Sequence, residues 1–525
     1  MISKLLSKSS IEDIRFACEG DWKLLKDTVP EGFDFNSEEK VSNVVSRLYG
    51  ASILEKPAFR ELFLQTLSRD VIFDLADKYK ISKSENSEIS IIRILASKPW
   101  GSASKLLPVF KRMGFDESYL PIQVSKIQTS ESVQAYKGLP ELFDYQSEIV
   151  EDVVSQAKVK GNRLLLHLPT GSGKTRVMME SITSYINSSD SDFSILWLAH
   201  SEELLEQAIS SFKSVWSAKG GHTTTIHRLY GQHFPNELLL SNSIIFASLQ
   251  KLSLIDFESS LFQEIVSNTT HIIVDETHKI TAQTYKNLVN AIFANNKATL
   301  IGVTATPGRN FSISTENRSF ARFFNDNLIT PNLGSDPISK LQEMGVLSKI
   351  DRRVIDTSIS INDDTLGKIT LKRLGRNKAR NDLLMIEIQK LVSESKPTLV
   401  FSCSTSHSRL LAAGLVLRGI KAAFIDYTKS SSSRRSIIDK FRCGEIEVLV
   451  NFGVLSTGFD APEIQALVIA RPTTSLILYS QMIGRGLRGP KVGGNQYVTV
   501  VDIKDNFDSY GDLDKMYNHF SDYWR

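Results

Sequence analysis

The stretch "PTGSGKT", residues 169–175, sets two glycines two positions apart and ends on a lysine and a threonine. It follows the apolar run "RLLLHL" and precedes a helical pattern, which is the context of a phosphate-binding loop. Gly171 and Gly173 let backbone amides curl around phosphate oxygens, and the next helix turns its positive end toward the same anion. Pro169, Thr170 and Ser172 complete the loop. Lys174 then reaches the β- and γ-phosphates, and Thr175 offers a hydroxyl to Mg²⁺. The strict pattern GxxxxGK[ST] is broken at one position, where Leu168 stands in place of glycine.

A second stretch, "HIIVDETHKI" (271–280), puts two carboxylates side by side just after an apolar run. The run reads as a buried strand of a parallel sheet, so Asp275 and Glu276 emerge at its carboxyl end, the edge where such sheets bind ligands. A bound triphosphate needs a carboxylate to hold Mg²⁺ through water, which suits Asp275. It also needs a group to orient the attacking water, which suits Glu276. A neighbouring strand end would bring both acids to the γ-phosphate.

Two alternating series of strands and helices position these groups. The first holds "RLLLHL", "SILWLA", "SIIFAS", "HIIVD" and "ATLIGVTA"; the second holds "PTLVFS", "IKAAFID", "IEVLVNF", "IQALVIA" and "NQYVTVVDI". Alternation of this kind predicts parallel sheets wrapped by helices. The fold class is therefore α/β, with two tandem P-loop-type domains at 136–330 and 379–525. A segment at 331–378 connects them. Residues 1–135 show apolar residues at helical spacing and predict a mostly α-helical accessory domain without recognisable chemistry. A fragment beginning near Ser130 is expected to fold without it.

The 525 residues are 41% hydrophobic and 23% charged, which suits globular domains with real cores. No apolar run is long enough to cross a bilayer and no leader is read at the start, so no membrane partner is expected. Cys18, Cys403 and Cys443 are scattered, which suits a reducing, cytoplasmic setting and gives no zinc framework. His222, His227 and His233 read as surface and packing histidines. A net charge of +3 neither demands nor excludes a nucleic acid.

Taken in order, the motifs resemble the superfamily 2 helicases and translocases of the DEAD/DEAH class, with "DETH" as the Asp-Glu-x-His box. The resemblance covers about residues 136–505 and implies two RecA-like domains, ATP with Mg²⁺, and a nucleic-acid track. Gln146 in "LFDYQ" would read adenine, although Phe143 stands where many relatives have arginine. "LAHSEELLEQ" (198–207) and "FASLQKL" (246–252) resemble motifs that touch the nucleic-acid backbone, here through Ser201, Ser248 and Gln250. "GVTATPGR" (302–309) resembles the motif that couples hydrolysis to movement, giving that role to Thr304 and Thr306 beside His278 and Gln481. In the second domain "TLVFSCSTSHS" (398–408) implies a backbone contact at Ser402. "VLSTGFDAP" (454–462) turns Thr457 toward the track and Gly458 and Asp460 toward nucleotide. "YSQMIGRGLRG" (479–489) resembles the arginine-finger helix, where Arg485 and Arg488 would share one helical face.

The wording of the second domain most resembles the RadD-like and type I/III restriction-subunit branch, which implies a DNA motor acting in repair or in phage defence and restriction. DNA is favoured over RNA on that ground. No Pro-Asp…Glu-x-Lys arrangement is found, so cleavage would fall to a partner nuclease or another defence-complex subunit. The alternatives are an RNA-remodelling ATPase of the same fold and a nucleic-acid sensor that switches a partner without unwinding. Basic stretches "LKRLGRNKAR" (371–380) and "KSSSSRR" (429–435) could line the track.

Overall fold

The computed structural model describes residues 2–98, 130–133 and 139–524, less several short stretches, the longest being 309–313, 360–366, 456–460 and 504–512. The first sheet contains β1 (Ser130–Val133), β2 (Arg163–His167), β3 (Ser194–Ala199), β4 (Thr224–Leu229), β5 (Ser243–Ser248), β6 (His271–Asp275), β7 (Thr299–Thr304) and β8 (Leu328–Ile329). Their spatial order is β1-β4-β5-β3-β6-β7-β2-β8, and among these strands only β1 runs antiparallel, against β4. The second sheet contains β9 (Lys349–Ile355), β10 (Thr398–Phe401), β11 (Ala422–Asp426), β12 (Val448–Phe452), β13 (Ala466–Ile469) and β14 (Tyr497–Ile503). All its pairs are parallel, in the order β11-β12-β10-β13-β14-β9.

Strands β3, β5, β6 and β7 are buried at every position, as strands covered by helices on both faces must be. Register then sets the functional edge. Asp275 pairs with Val303 and His167 with Thr304, so the carboxyl ends of β6, β7 and β2 lie level in a row. The acid pair is therefore one strand removed from the phosphate loop, with β7 between them, where adjacent strands were expected.

Three boundaries drawn from sequence are corrected. β1 falls inside residues 1–135 yet pairs with the first sheet. β9 falls inside the connecting segment yet completes the second sheet beside β14, so that segment is partly structural. Residues 513–524 follow the second sheet in sequence but pack on the first domain, as described below.

The helices Ile2–Leu6, Ile11–Cys18, Gly20–Thr28, Glu38–Tyr49, Pro57–Gln65, Arg69–Lys78 and Glu88–Ser97 form the N-terminal region. Their core does not close on itself. Ile14, Leu25, Val45 and Phe63 share one apolar cluster with Leu384, Leu411, Leu415 and Phe424 of the second α/β domain. The sequence of helix Thr405–Leu417, "TSHSRLLAAGLVL", shows why: it is apolar on nearly every face, so the sheet alone cannot cover it. Helices Gly20–Thr28 and Glu38–Tyr49 pack on its other side. An ion pair fixes the seam, with Asp21 held 3.1 Å from both Arg409 and Lys56. Among the described residues no helix is long and apolar enough to cross a membrane.

Two stability predictions arise here. Uncovering helix Thr405–Leu417 exposes several aliphatic side chains, each worth about 1.5–3 kcal/mol when buried, against a margin of about 5–15 kcal/mol for a whole domain. Contrary to the sequence expectation, a fragment beginning near Ser130 should aggregate or bind a hydrophobic dye. A soluble fragment that unfolds cooperatively at the full chain's midpoint would contradict this packing.

The second concerns His271 and His407, both buried. Burial depresses His271 to about 4, and burial together with the Arg380 charge depresses His407 to about 3. His407 accepts from the Cys403 amide at Nδ1 (3.0 Å), so its Nε2 carries the proton and donates to Asn381 Oδ1 (3.0 Å). The unfolded chain takes up protons below pH 6.5 while these folded rings do not. Stability is thus intact above pH 6.5 and falls by about 1.4 kcal/mol per pH unit per histidine as pH drops toward 4. Thermal midpoints measured from pH 7 to pH 4.5 should fall, and His407→Gln should flatten part of that slope.

Candidate active site

The phosphate loop begins where β2 ends. Gly171 (φ 88°) and Gly173 (φ 91°) take left-handed conformations that a side chain would strain, and Gly173 caps helix Lys174–Asn187. Ser172 Oγ donates to Pro169 O at 2.7 Å and closes the loop on itself. Tyr145 OH (2.8 Å) and Gln146 Nε2 (3.0 Å) both donate to Ser172 O, while Gln146 Oε1 accepts from the Phe143 amide at 3.1 Å. Both ends of the Gln146 amide are thus engaged with backbone, and the residue buttresses the loop from below. Lys174 Nζ donates to its own loop, at 3.4 Å from Pro169 O. Thr170 and Thr175 are half-buried on the same loop and helix.

The acid pair is buried. Asp275 Oδ1 accepts from the Glu276 amide at 2.9 Å, and Glu276 has φ 50°, a strained backbone for a residue with a side chain. Burial raises the Asp275 pKa, with the Glu276 charge adding to the rise and Lys174 opposing it. Burial also works to raise Glu276, but His278, Lys174, Arg485 and His200 outweigh it and hold that carboxyl below its usual range. Lys174 is depressed by burial, with Glu276 and Asp275 opposing and Arg485 adding to the fall. Charge from both domains therefore meets at one place. The contact is explicit at His278, whose Nδ1 lies 3.4 Å from Glu276 Oε2 and whose Nε2 lies 3.4 Å from Gln481 Nε2 of the second domain.

The arginine motif is built differently from its sequence reading. Helix Leu476–Ile483 stops before either arginine, with Gly484 as its cap. Arg485 sits in the turn that follows, and Arg488 lies in a backbone bridge with Leu347. The two arginines therefore share no helical face. Glycines at 484, 486 and 489 explain the break, since each weakens a helix by about 1 kcal/mol. Arg485 acts on both Lys174 and Glu276. The domains meet tightly here: a β-carbon built on Gly484 would stand 2.1 Å from Thr170 Cγ2, and one on Gly171 would stand 3.0 Å from Leu347 Cδ2.

Behind the site, Thr304 Oγ1 donates to Thr306 O at 2.9 Å and accepts from the Thr306 amide at 3.1 Å, which shapes the coupling loop. Residues 513–524 hold that loop from outside. Trp524 Nε1 donates to Pro307 O (2.8 Å), and Tyr517 OH donates to His167 O (3.2 Å) while its ring stacks on the His167 imidazole. His167 in turn lies 3.1 Å from Ala305 O through Nε2. Asp514 accepts from the Ile338 amide (2.7 Å) and from Ser339 Oγ (2.6 Å), tying the same segment to helix Pro337–Glu343. Sequence reasoning missed this strap. Its signal was the aromatic density of "MYNHFSDYW" beyond the last strand.

Of the residues expected along the track, Gln250 is exposed, and Ser201 is partly exposed although its hydroxyl also caps a helix, accepting from the Leu204 amide at 3.3 Å. Two others are corrected. Ser248 is 8% exposed and its hydroxyl caps the next helix by accepting from the Lys251 amide (3.1 Å). Ser402 is 1% exposed and its hydroxyl is used by Ser408 Oγ (2.6 Å) and Asn451 O (3.1 Å). Neither hydroxyl faces solvent, because a serine at a strand end preceding a helix is also a good N-cap or core group. Thr457, Gly458 and Asp460 lie outside the described residues.

Comparison with known proteins agrees with this architecture. The family described as type III restriction enzyme, res subunit, matches residues 139–309, and the helicase conserved C-terminal domain matches residues 380–489. IRC3 of Saccharomyces cerevisiae, named as an ATP-dependent helicase, is 27% identical over 374 residues, covering 69% of this chain and 51% of that protein. The EcoKI type I restriction enzyme endonuclease subunit of Escherichia coli is 26% identical over 434 residues, covering 72% of this chain and 36% of that protein. The chain thus spans about half the length of the first relative and less of the second. A fragment assigned to the HsdR subunit of a type I restriction enzyme from Vibrio vulnificus shares the fold, with a TM-score of 0.51 at 21% identity, covering 79% of this chain and 72% of that one. The chain belongs to the superfamily 2 helicases. Within them it resembles the restriction-subunit branch, its first domain matching the res-subunit family.

Gly484 offers a clean probe of closure. Its backbone is helical (φ −56°), and the severe clash of an alanine falls on Thr170 across the cleft, with a milder 3.0 Å approach to Ser480 O inside the second domain. Gly484→Ala should lower ATP turnover by about 100-fold or more, since an arginine supplied across a cleft is worth about 10³–10⁵. Adding Thr170→Gly should restore part of it. Steady-state ATPase assays of the single and double variants check both statements.

Proposed function

We propose that the chain is a DNA-stimulated ATPase that moves along DNA by cycles of domain closure. The observation that carries this reading is the chain of contacts from Glu276 through His278 to Gln481, which joins the water-orienting acid to the second domain. A change in either domain's position must then alter the group that would activate water. In this reading Lys174 and the loop amides bind the triphosphate, Glu276 orients water, and Arg485 stabilises charge on the γ-phosphate. Gln146 supports the loop, and reading adenine would require its amide to release the Ser172 carbonyl or the Phe143 amide. Thr304 and Thr306 pass the state of the site to the track, and Arg488 secures the arginine turn.

The donor set fits magnesium. Thr175 hydroxyl and Asp275 carboxylate are hard oxygen ligands, few enough for an ion that keeps several waters. The raised pKa of Asp275 marks a carboxylate lacking enough positive charge around it, a deficit that a divalent ion offsets. The ion would neutralise phosphate charge.

The restriction-subunit branch favours DNA over RNA, with cleavage left to a partner nuclease or defence-complex subunit. Ser201, Gln250 and Thr457 are the proposed backbone contacts in place of Ser248 and Ser402. Buried thiols at Cys18 and Cys403 support a cytoplasmic, reducing setting. Losing an essential orienting group costs about 100-fold or more, so Glu276→Gln should bind ATP yet hydrolyse it very slowly. Lys174→Ala should instead lose ATP binding. ATPase stimulation by matched DNA and RNA, single-stranded and duplex, decides the track. Stronger stimulation by RNA in both forms would overturn the DNA assignment, and a triplex-displacement assay beside strand displacement separates translocation from unwinding.

A further inference from the structure

Residues 367–381 contain six cations, Lys368, Lys372, Arg373, Arg376, Lys378 and Arg380, and no acid. Arg380 is buried and donates to Ala470 O at 2.7 Å, so it belongs to the core. The other five are exposed. Lys372, Arg373 and Arg376 border an open hollow of about 550 Å³, together with Asn377 and the 84% exposed Ile369. The first acids downstream along the chain are engaged elsewhere, Asp382 with Arg418 at 3.6 Å and Glu387 with Arg353 at 3.2 Å.

The place of this hollow in the fold gives it meaning. Helix Lys368–Leu374 rests on Cys403 through Leu371 and Leu374, and Gly375 backs directly onto His407. The cations therefore stand at the carboxyl end of β10. Because the second sheet is wholly parallel, this is the edge from which Gln481 and Arg485 also emerge after β13. It is also the strand end whose own serine, Ser402, points inward and offers no hydroxyl to a ligand.

We propose that Lys372, Arg373 and Arg376 form a phosphodiester-binding site that holds the nucleic-acid backbone where it crosses the second domain. The proposal rests on the nucleic-acid motor reading and assigns its contact on this domain. Arginine guanidinium groups match phosphate oxygens in pairs, and lysine supplies a mobile point charge. Such contacts hold a strand without reading its bases. Lys368 and Lys378 flank the site and extend its field along the strand.

The test is anisotropy of a labelled single-stranded oligonucleotide with the full chain, titrated from about 50 mM to about 200 mM salt. Arg373→Glu with Arg376→Glu is compared with Lys158→Glu and Lys160→Glu, an equal charge change placed just before β2, at the amino-terminal edge of the first sheet. Each phosphate contact on a single strand contributes about 0.7 to the slope of log affinity against log salt, so the arginine variant should be shallower by about 1.4. The lysine control should keep the wild-type slope, and both variants should unfold at the wild-type midpoint. An arginine variant indistinguishable from wild type would falsify the site while leaving the motor reading intact, as would a patch serving an acidic protein surface. A wild-type chain that binds no nucleic acid and is stimulated by none overturns both.

Discussion

Asp275, Glu276 and His278 are buried with the half-buried Lys174 and Arg485 gathered against them, and that gathering of charge is what the remainder of the structure serves. A buried ion left alone is costly, and breaking such a pair from one side typically loses about 3–5 kcal/mol. Each member here is balanced by others on different elements: the lysine opens a helix, the acids end β6, and the arginine follows a helix of the other domain. No single secondary element could carry the set. The parallel sheets bring the carboxyl ends of β6, β7 and β2 level, and the Leu347 side chain and the Leu487 carbonyl lie close against Gly171 of the phosphate loop, which brings the second domain up to them.

Much of this was legible in the sequence because the signals were local. Strands buried on both faces must be continuous apolar runs, so "SILWLA" and "HIIVD" announced themselves, and a phosphate loop is recognisable by its glycines. Less legible were features decided by where a side chain points. Ser248 and Ser402 have the right type for a backbone contact, yet both are buried, whereas Ser201 caps a helix in the same way as Ser248 and keeps part of its surface open. Arg485 and Arg488 have helical spacing, yet the interleaved glycines end the helix before them. Spacing proposes a shared face; only the backbone grants it.

The N-terminal helices illustrate a third kind of illegibility. Their amphipathic pattern was plain, and so was the unbroken apolarity of "LLAAGLVL". What could not be read is that each is the other's cover, because roughly 300 residues and a complete domain intervene. The ionic seam at Asp21 sharpens the match. Burial would raise this carboxyl, but Lys56, the Tyr49 hydroxyl and Arg409 together hold it below its usual value. The helices and the second sheet consequently share one core.

The strap at 513–524 has a mechanical consequence. The chain passes from first domain to second through helix Pro337–Glu343; Ile503 ends the second sheet, and from Leu513 the described chain lies on the first domain again. Asp514 and Asn518 fasten this return to the outgoing passage, at the Ile338 and Ser339 amides and at Ser335 O. Two crossings knotted at one spot act as a door hinge with its pin fixed. Motion about that pin is smallest beside Pro337 and grows with the distance from it, so the far rim of the cleft sweeps the widest arc for the least disturbance of the knot.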